Sequence, residues 1–136
     1  VTVSWSPFDK LDAADASVDV VTWFQGPHEL YCAKACGNAV MGDPAKAFAE
    51  VARILKSGGS FIIMDHVAPA GTPTTSGNDA HRIDPLPVKA LATTAGFALD
   101  EESTLLANPA DDHSKGVFDP AIQGKTDQFL LRYTKP

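Results

Sequence analysis

The stretch DPAKAFAEVARILKSGGSFIIMDH, residues 43–66, decides the fold class of this chain of 136 residues. Asp43 can cap a helix and Pro44 suits the first helical position. The residues that follow are apolar at the spacing of one helical face: Ala45, Phe48, Val51, Ala52 and Leu55. Gly58 and Gly59 are predicted to end this helix. Residues 60–64 (SFIIM) then form an apolar run typical of a strand covered on both faces.

Similar elements lie on both sides of this stretch. A second helix is predicted after the cap Asp84 and to end at Gly96, and strands are predicted at 18–24 (VDVVTWF) and 128–134 (QFLLRYT). A less regular strand starts at Phe97. Alternating strands and helices indicate right-handed crossovers and a mainly parallel sheet in one α/β domain over residues 1–136.

Composition excludes several classes of function. The formal charge of −6 and the scattered basic residues argue against a nucleic-acid surface. No apolar run approaches the length of a membrane span. We therefore expect a cytoplasmic or periplasmic enzyme. The chain begins in a β-like stretch, Val1–Trp5, without an initiator Met, and we expect a processed product, an expressed segment or a fragment.

Two cysteines, Cys32 and Cys36, are four residues apart. On a helix their thiols would stand one turn apart, and a disulfide there would need local distortion. A CxxxC spacing alone is also a weak metal signal. We predict reduced cysteines and no metal ligand at this pair.

The combination of these segments resembles a known family. SVDVVTWF (residues 17–24), the turn LKSGG (55–59), and the later blocks HRIDPLPVKALATTAGF and VFDPAIQGKTDQFLLRYTKP are similar to the C-terminal half of class I S-adenosylmethionine-dependent methyltransferases, in particular a group of predicted bacterial methyltransferases. The resemblance implies a partial Rossmann-like methyltransferase sheet, mostly parallel with the last strand antiparallel, in a three-layer αβα arrangement. It also implies a sheet order that leaves Val18–Phe24 at an edge.

The resemblance implies transfer of a methyl group from S-adenosylmethionine, the cofactor, to a small-molecule substrate, with Phe8, Phe24 and Gln25 on the cofactor side. The family holds the cofactor with a strand–GxGxG–helix element, and no two glycines of this sequence stand at GxG spacing. The family's usual acidic residue on the adenine side falls on Pro7, which cannot accept an amino hydrogen bond. We expect the chain to be inactive and to bind the cofactor poorly unless a missing N-terminal half completes it.

Histidines in the connections are the candidate catalytic residues. Ligands of doubly wound folds bind beyond the carboxyl ends of the strands, where His28 follows one strand and Asp65-His66 ends another. His81 precedes the second helix. A histidine of near-neutral pKa can remove a proton from an acceptor during methyl transfer, so the predicted catalytic residues are His28, Asp65, His66 and His81.

Two alternatives stay open. A metal-dependent enzyme could use some of its histidines (His28, His66, His81, His113) with Asp65, although the spacing is that of no compact metal motif. A non-catalytic, oligomerising remnant could instead use the apolar edge Val18–Phe24, because an unpaired edge strand favours association. We expect that edge to be covered by a second copy, by a separate N-terminal segment or by Val1–Trp5.

Overall fold

The computed structural model of the protein describes residues 3–32 and 41–136. The elements within these ranges are β1 (Val18–Phe24), a 3₁₀ helix (Pro27–Tyr31), α1 (Pro44–Ile54), β2 (Leu55–His66), α2 (Ser76–Asp79), α3 (Pro85–Thr94), β3 (Ala98–Ser103) and β4 (Gln128–Thr134). The strands of the described residues form one sheet in the order β1-β2-β4-β3. β1 and β2 pair in parallel, and β4 is antiparallel to both of its neighbours. The predicted fold class, with its last strand antiparallel, is confirmed.

Both predicted helix caps are formed. The carboxylate of Asp43 accepts the Lys46 amide at 2.9 Å, and that of Asp84 accepts the Leu86 amide at 2.9 Å. A proline follows each cap at the position where a missing amide costs nothing. Gly96, with φ of +92°, follows the end of α3 as predicted.

The end of α1 was predicted wrongly. The helix stops at Ile54, and Gly58 and Gly59 lie inside β2. Gly58 donates its amide to the Lys135 carbonyl at 2.8 Å, so a contact with the far end of the chain draws this turn into the sheet. Gly59 lies so close to β1 that an added Cβ would stand 3.0 Å from the Asp19 carbonyl oxygen.

The core lies on one face of the sheet. Phe61 and Ile63 of β2 and Leu131 of β4 are fully buried there and pack with Phe48 of α1 and Val88 of α3. The described residues therefore show the sheet and one of the two helical layers predicted for it; the second layer remains a prediction.

The opposite face of β1 is open, although its apolar run (VDVVTWF) is typical of a strand covered on both faces. Val20 and Phe24 are 55% and 53% exposed, because no described element packs against them. β1 is also an edge of the sheet, as predicted. Val3 and Trp5 are exposed and belong to no strand, so residues 3–5 do not cover that edge.

Candidate active site

The carboxyl end of β2 carries a buried carboxylate that holds two histidines. Asp65 is fully buried, and its Oδ1 lies 2.8 Å from His28 Nδ1 while Oδ2 accepts the His28 amide at 2.9 Å. Oδ1 also accepts the His66 amide at 2.8 Å. A single side chain thereby ties the 3₁₀ helix after β1 to the end of β2.

His81 reaches this site through the segment before α3. The Ile83 amide donates to the His66 carbonyl at 2.9 Å, which extends β2 by one isolated parallel bridge between Val67 and Ile83. His81 Nδ1 then lies 3.3 Å from His28 Nε2. All four predicted catalytic residues meet in one cluster, although their chemical roles remain predictions.

His28 and His66 have opposite electrostatic environments. Burial alone would lower the pKa of His28, but the hydrogen bond and charge of Asp65, together with Glu29, outweigh burial and raise it. Burial lowers the pKa of His66, and the nearby Asp65 charge does not offset that effect. The His66 ring is therefore more fully neutral than the His28 ring near neutral pH, and only a neutral ring can accept a proton.

His66 also lines a small cavity. The cavity measures about 170 Å³ and is bordered by Gln25, Phe118 and Gln128 among others. His66 Nδ1 lies 2.7 Å from Thr126 Oγ1. Within the described ranges Nε2 of His66 forms no hydrogen bond. This leaves one ring nitrogen of His66 available to a ligand in the cavity.

The residues predicted for the cofactor side lie in two places. Phe8 packs against Trp23 with ring centroids 5.0 Å apart, and the two border a mainly apolar cavity of about 160 Å³. Phe24 is the last residue of β1, and Gln25 follows it with a positive φ of +52°. Trp23 Nε1 is buried with no hydrogen-bond partner in the described part of the chain. Aromatic faces beside an unpaired donor fit the adenine part of S-adenosylmethionine. Gly26 precedes the 3₁₀ helix, but among the described residues no GxG pair precedes a helix to hold the methionine part.

Several residues of the site were not predicted from the sequence. Glu29, whose Oε1 lies 3.3 Å from His28 Nε2, could have been chosen because it follows a candidate histidine at a strand end. Thr126 carried no signal, since it reaches His66 across 60 residues of sequence. Arg82 was noted only as part of a motif, yet it is 1% exposed and forms an ion pair with Asp111 at 2.9 Å.

The structure reduces the set of residues that could bind a metal ion. Among the described residues, His28, Glu29 and His81 offer ligand atoms within 4.8 Å of one another. His113 is elsewhere and pairs with Asp127 at 2.9 Å. Asp65 contacts His28 Nδ1, whereas the other two potential ligands lie near His28 Nε2, so Asp65 is not part of this group of ligand atoms.

The cysteine prediction is wrong for Cys32, which is disulfide-bonded. Cys32 follows the 3₁₀ helix with φ of −96° and ψ of 54°, so the helical spacing that argued against a disulfide does not apply to it. Cys36 lies outside the described residues.

Comparisons with known proteins agree with the fold. Residues 2–63 match the family described as methyltransferase domain. A dimethylglycine N-methyltransferase of Parasynechococcus marenigrum is 38% identical over 73 residues, which cover 52% of this chain and 21% of that protein. The first half of the chain is therefore similar in sequence to methyltransferase domains.

Solved structures extend the similarity to nearly the whole chain. A methyltransferase of Aquifex aeolicus superimposes with a TM-score of 0.62 at 16% identity, covering 99% of this chain and 55% of its own. The [4+2]-cyclase SpnF superimposes with a TM-score of 0.66 at 19% identity, covering 98% of this chain and 56% of its own. At these identities the likeness shows the fold alone, and the chain spans little more than half of each of these methyltransferase-fold proteins.

No helix in the described residues is both long and apolar enough to cross a membrane.

Proposed function

We propose that this chain is the acceptor-binding half of a small-molecule methyltransferase in which His66 removes the acceptor proton. The observation that supports the proposal is the placement of His66, with a lowered pKa and an available Nε2, against a cavity at the carboxyl ends of the strands. The bound cofactor supplies an electrophilic sulfonium methyl group for in-line displacement. A volume of about 170 Å³ suits a small acceptor.

The residues around His66 orient it for proton removal. With its Nδ1–H donated to Thr126 Oγ1, the ring presents the Nε2 lone pair to the cavity. The side-chain Nε2 of Gln128 also donates to Thr126 Oγ1, at 3.2 Å, and helps to orient that hydroxyl group. Gln25 and Gln128 offer amide groups that can hydrogen-bond a polar acceptor at the cavity wall. Catalysis then rests on positioning and one proton transfer.

A pH profile of methyl transfer tests the role of His66. We expect His66→Gln to lower kcat by about 10²-fold, the usual contribution of a general base, with little change in KM for the cofactor. Because the pKa of His66 lies below its ordinary value, the wild-type rate should rise with pH and level off at or below neutrality. The assay uses the chain extended upstream by a glycine-rich segment and measures radioactive methyl transfer to a panel of small amines and alcohols that includes dimethylglycine.

His113→Gln is the matched control, because His113 pairs with Asp127 outside the cluster. It should leave both the rate and the pH profile unchanged. A His66→Gln enzyme with wild-type kcat and pH profile would rule out the proposed base.

The cofactor half is proposed to come from outside these 136 residues. β1 is an unpaired edge in the described residues, and its apolar side chains Val20 and Phe24 are exposed where a further strand and layer would pack. A separate N-terminal segment is favoured over a second copy, because the sequence has no GxG spacing for a second copy to contribute. The dimethylglycine relative makes a methylated amine one acceptor to test.

Calorimetry with S-adenosylhomocysteine tests whether cofactor binding requires a segment outside these 136 residues. We expect the 136-residue chain to bind it weakly or not at all, and a chain extended upstream by a glycine-rich segment to bind at least about a hundredfold more tightly, about 2.7 kcal/mol. Amide exchange along β1 should slow in the extended chain, because its edge becomes paired. Tight binding by the short chain would contradict the proposed division.

A further inference from the structure

Three potential metal ligands converge beside the cavity. His28 Nε2 lies 3.3 Å from His81 Nδ1 and 3.3 Å from Glu29 Oε1, and the three ligand atoms all fall within 4.8 Å of one another. His28 is 3% exposed, whereas Glu29 and His81 are half-buried. An ion would therefore reach the cluster from the side of Glu29 and His81.

Two of the three separations between the ligand atoms are those of a tetrahedral zinc site, and the third is within 4.8 Å. Two nitrogen or oxygen ligands about 2.0–2.1 Å from a tetrahedral ion stand about 3.4 Å apart. Both measured separations from His28 Nε2 are 3.3 Å. Two imidazoles and a carboxylate are also ligands that zinc accepts readily.

The surroundings hold His28 in the orientation that a metal ligand needs. Donation of Nδ1–H to the buried Asp65 leaves the Nε2 lone pair facing the cluster, which is the carboxylate–histidine arrangement found behind many metal ions. Gly77 packs against the His28 carbonyl so closely that an added Cβ would lie 2.5 Å from its oxygen. The backbone of His28 therefore has little room to shift.

His81 has an unusual backbone conformation and a ring that is packed against a neighbour. Its backbone has a positive φ of +52°, a conformation that costs energy for a residue other than glycine. Its ring packs edge-on against Phe118 with centroids 4.9 Å apart. Strained backbone at a cluster of chemically active side chains is a recurrent feature of functional sites.

We propose that His28 Nε2, Glu29 Oε1 and His81 Nδ1 bind one zinc ion, with a water molecule as the fourth ligand. The site is distinct from the cavity that His66 lines, and it does not depend on methyl transfer. Because Asp65 contacts both His28 and His66, the ion would fix the loop after β1 beside the acceptor cavity.

Titration calorimetry with zinc chloride, with no cofactor or acceptor present, tests the site. We expect one ion per chain and affinity that falls at least about tenfold in both His81→Asn and Glu29→Gln. Asparagine tolerates a positive φ better than most residues, so His81→Asn removes the ligand and retains the backbone preference. Cobalt substitution should give the visible absorption of a tetrahedral ion, and this absorption should be lost in both variants.

His113→Asn is the matched control, since His113 also has a positive φ, of +61°, and lies outside the cluster. It should bind zinc as the wild type does. Thermal unfolding of each variant by circular dichroism separates a lost ligand from a lost fold, and the half-exposed Glu29→Gln serves if His81→Asn does not fold. Absence of zinc binding by the wild type, or equal binding by Glu29→Gln, would overturn the proposal.

Discussion

Replacing Arg82 by methionine should destabilise the protein by about 3–5 kcal/mol, the usual cost of breaking a buried ion pair from one side. Arg82 is 1% exposed and its guanidinium donates to the Val67 and Lys115 carbonyls at 2.9 and 2.8 Å. Its Nη2 also pairs with Asp111, which is 4% exposed. Methionine fills much of the volume, but the Val67 and Lys115 carbonyls lose their Arg82 donors and the buried Asp111 carboxylate loses its positive partner. Urea unfolding measures the loss.

Arg132→Met is the control for the loss of an arginine as such. The Arg132 side chain is half exposed and lies 3.5 Å from Glu101, a surface pair of the kind that contributes little. We expect this change to stay within about 0.5 kcal/mol. A similar loss in both variants would mean that burial of the Arg82–Asp111 pair is not the cause.

The pH dependence of the Arg82→Met effect identifies Asp111 as the partner. Burial alone would raise the pKa of Asp111, but the amides of Asp127 and His113 and the charge of Arg82 lower it overall. A carboxylate with a lowered folded-state pKa contributes stability above its unfolded pKa and loses it as pH falls through the folded value. The difference in stability between wild type and Arg82→Met should therefore shrink as the pH falls below the ordinary carboxyl pKa and Asp111 takes up a proton.

The strands and helix starts were predictable because their signals are local. β1 and β4 have the predicted bounds, since apolar runs of strand length flanked by polar residues decide them. The caps Asp43 and Asp84 act within three residues of their own position. The end of α1 was not predictable, because the amide of Gly58 bonds to Lys135, at the opposite end of the chain.

The position of the candidate site could be predicted from the sequence, but the hydrogen bonds within it could not. Histidines that follow parallel strands gather at one edge of the sheet, which is why His28, His66 and His81 were expected together. The pairing of His28 with Asp65 spans 37 residues and depends on the parallel register of β1 and β2. Likewise, His81 is placed by the single bridge between Val67 and Ile83. Neither contact leaves a pattern in the sequence.

Asp65→Asn should remove about 3 kcal/mol of stability and reverse the pH dependence that His28 contributes. The carboxylate accepts both the His28 amide and its ring N–H, together with the His66 amide. An asparagine turns one of these acceptors into a donor that faces another donor. The free energy of unfolding at pH 5.5 and pH 8.5, with the His28 resonance followed by NMR, measures both effects.

The direction of the pH effect follows from the charges around His28. Asp65 and Glu29 raise its pKa above the unfolded value, although His81 and His66 also lie close to its ring. Wild-type His28 therefore contributes stability below the unfolded pKa and loses it as pH rises through the raised folded value. Without the Asp65 charge, burial becomes the dominant influence and favours the neutral ring. The variant should then gain stability with rising pH, so its deficit is greatest at pH 5.5.

Asp127→Asn provides the matched carboxylate–histidine pair, because Asp127 lies 2.9 Å from His113 Nε2 in a half-buried position. We expect Asp127→Asn to lower the free energy of unfolding by about 1 kcal/mol. The pH dependence of stability should not reverse, since this pair lies outside the buried centre that joins β1 to β2. A His28 resonance that titrates identically in wild type and Asp65→Asn would show that Asp65 does not control the protonation of His28. The arrangement of His28 beside His66 would then need another explanation, because Asp65 is the only described side chain that hydrogen-bonds both to His28 and to His66 at the end of β2.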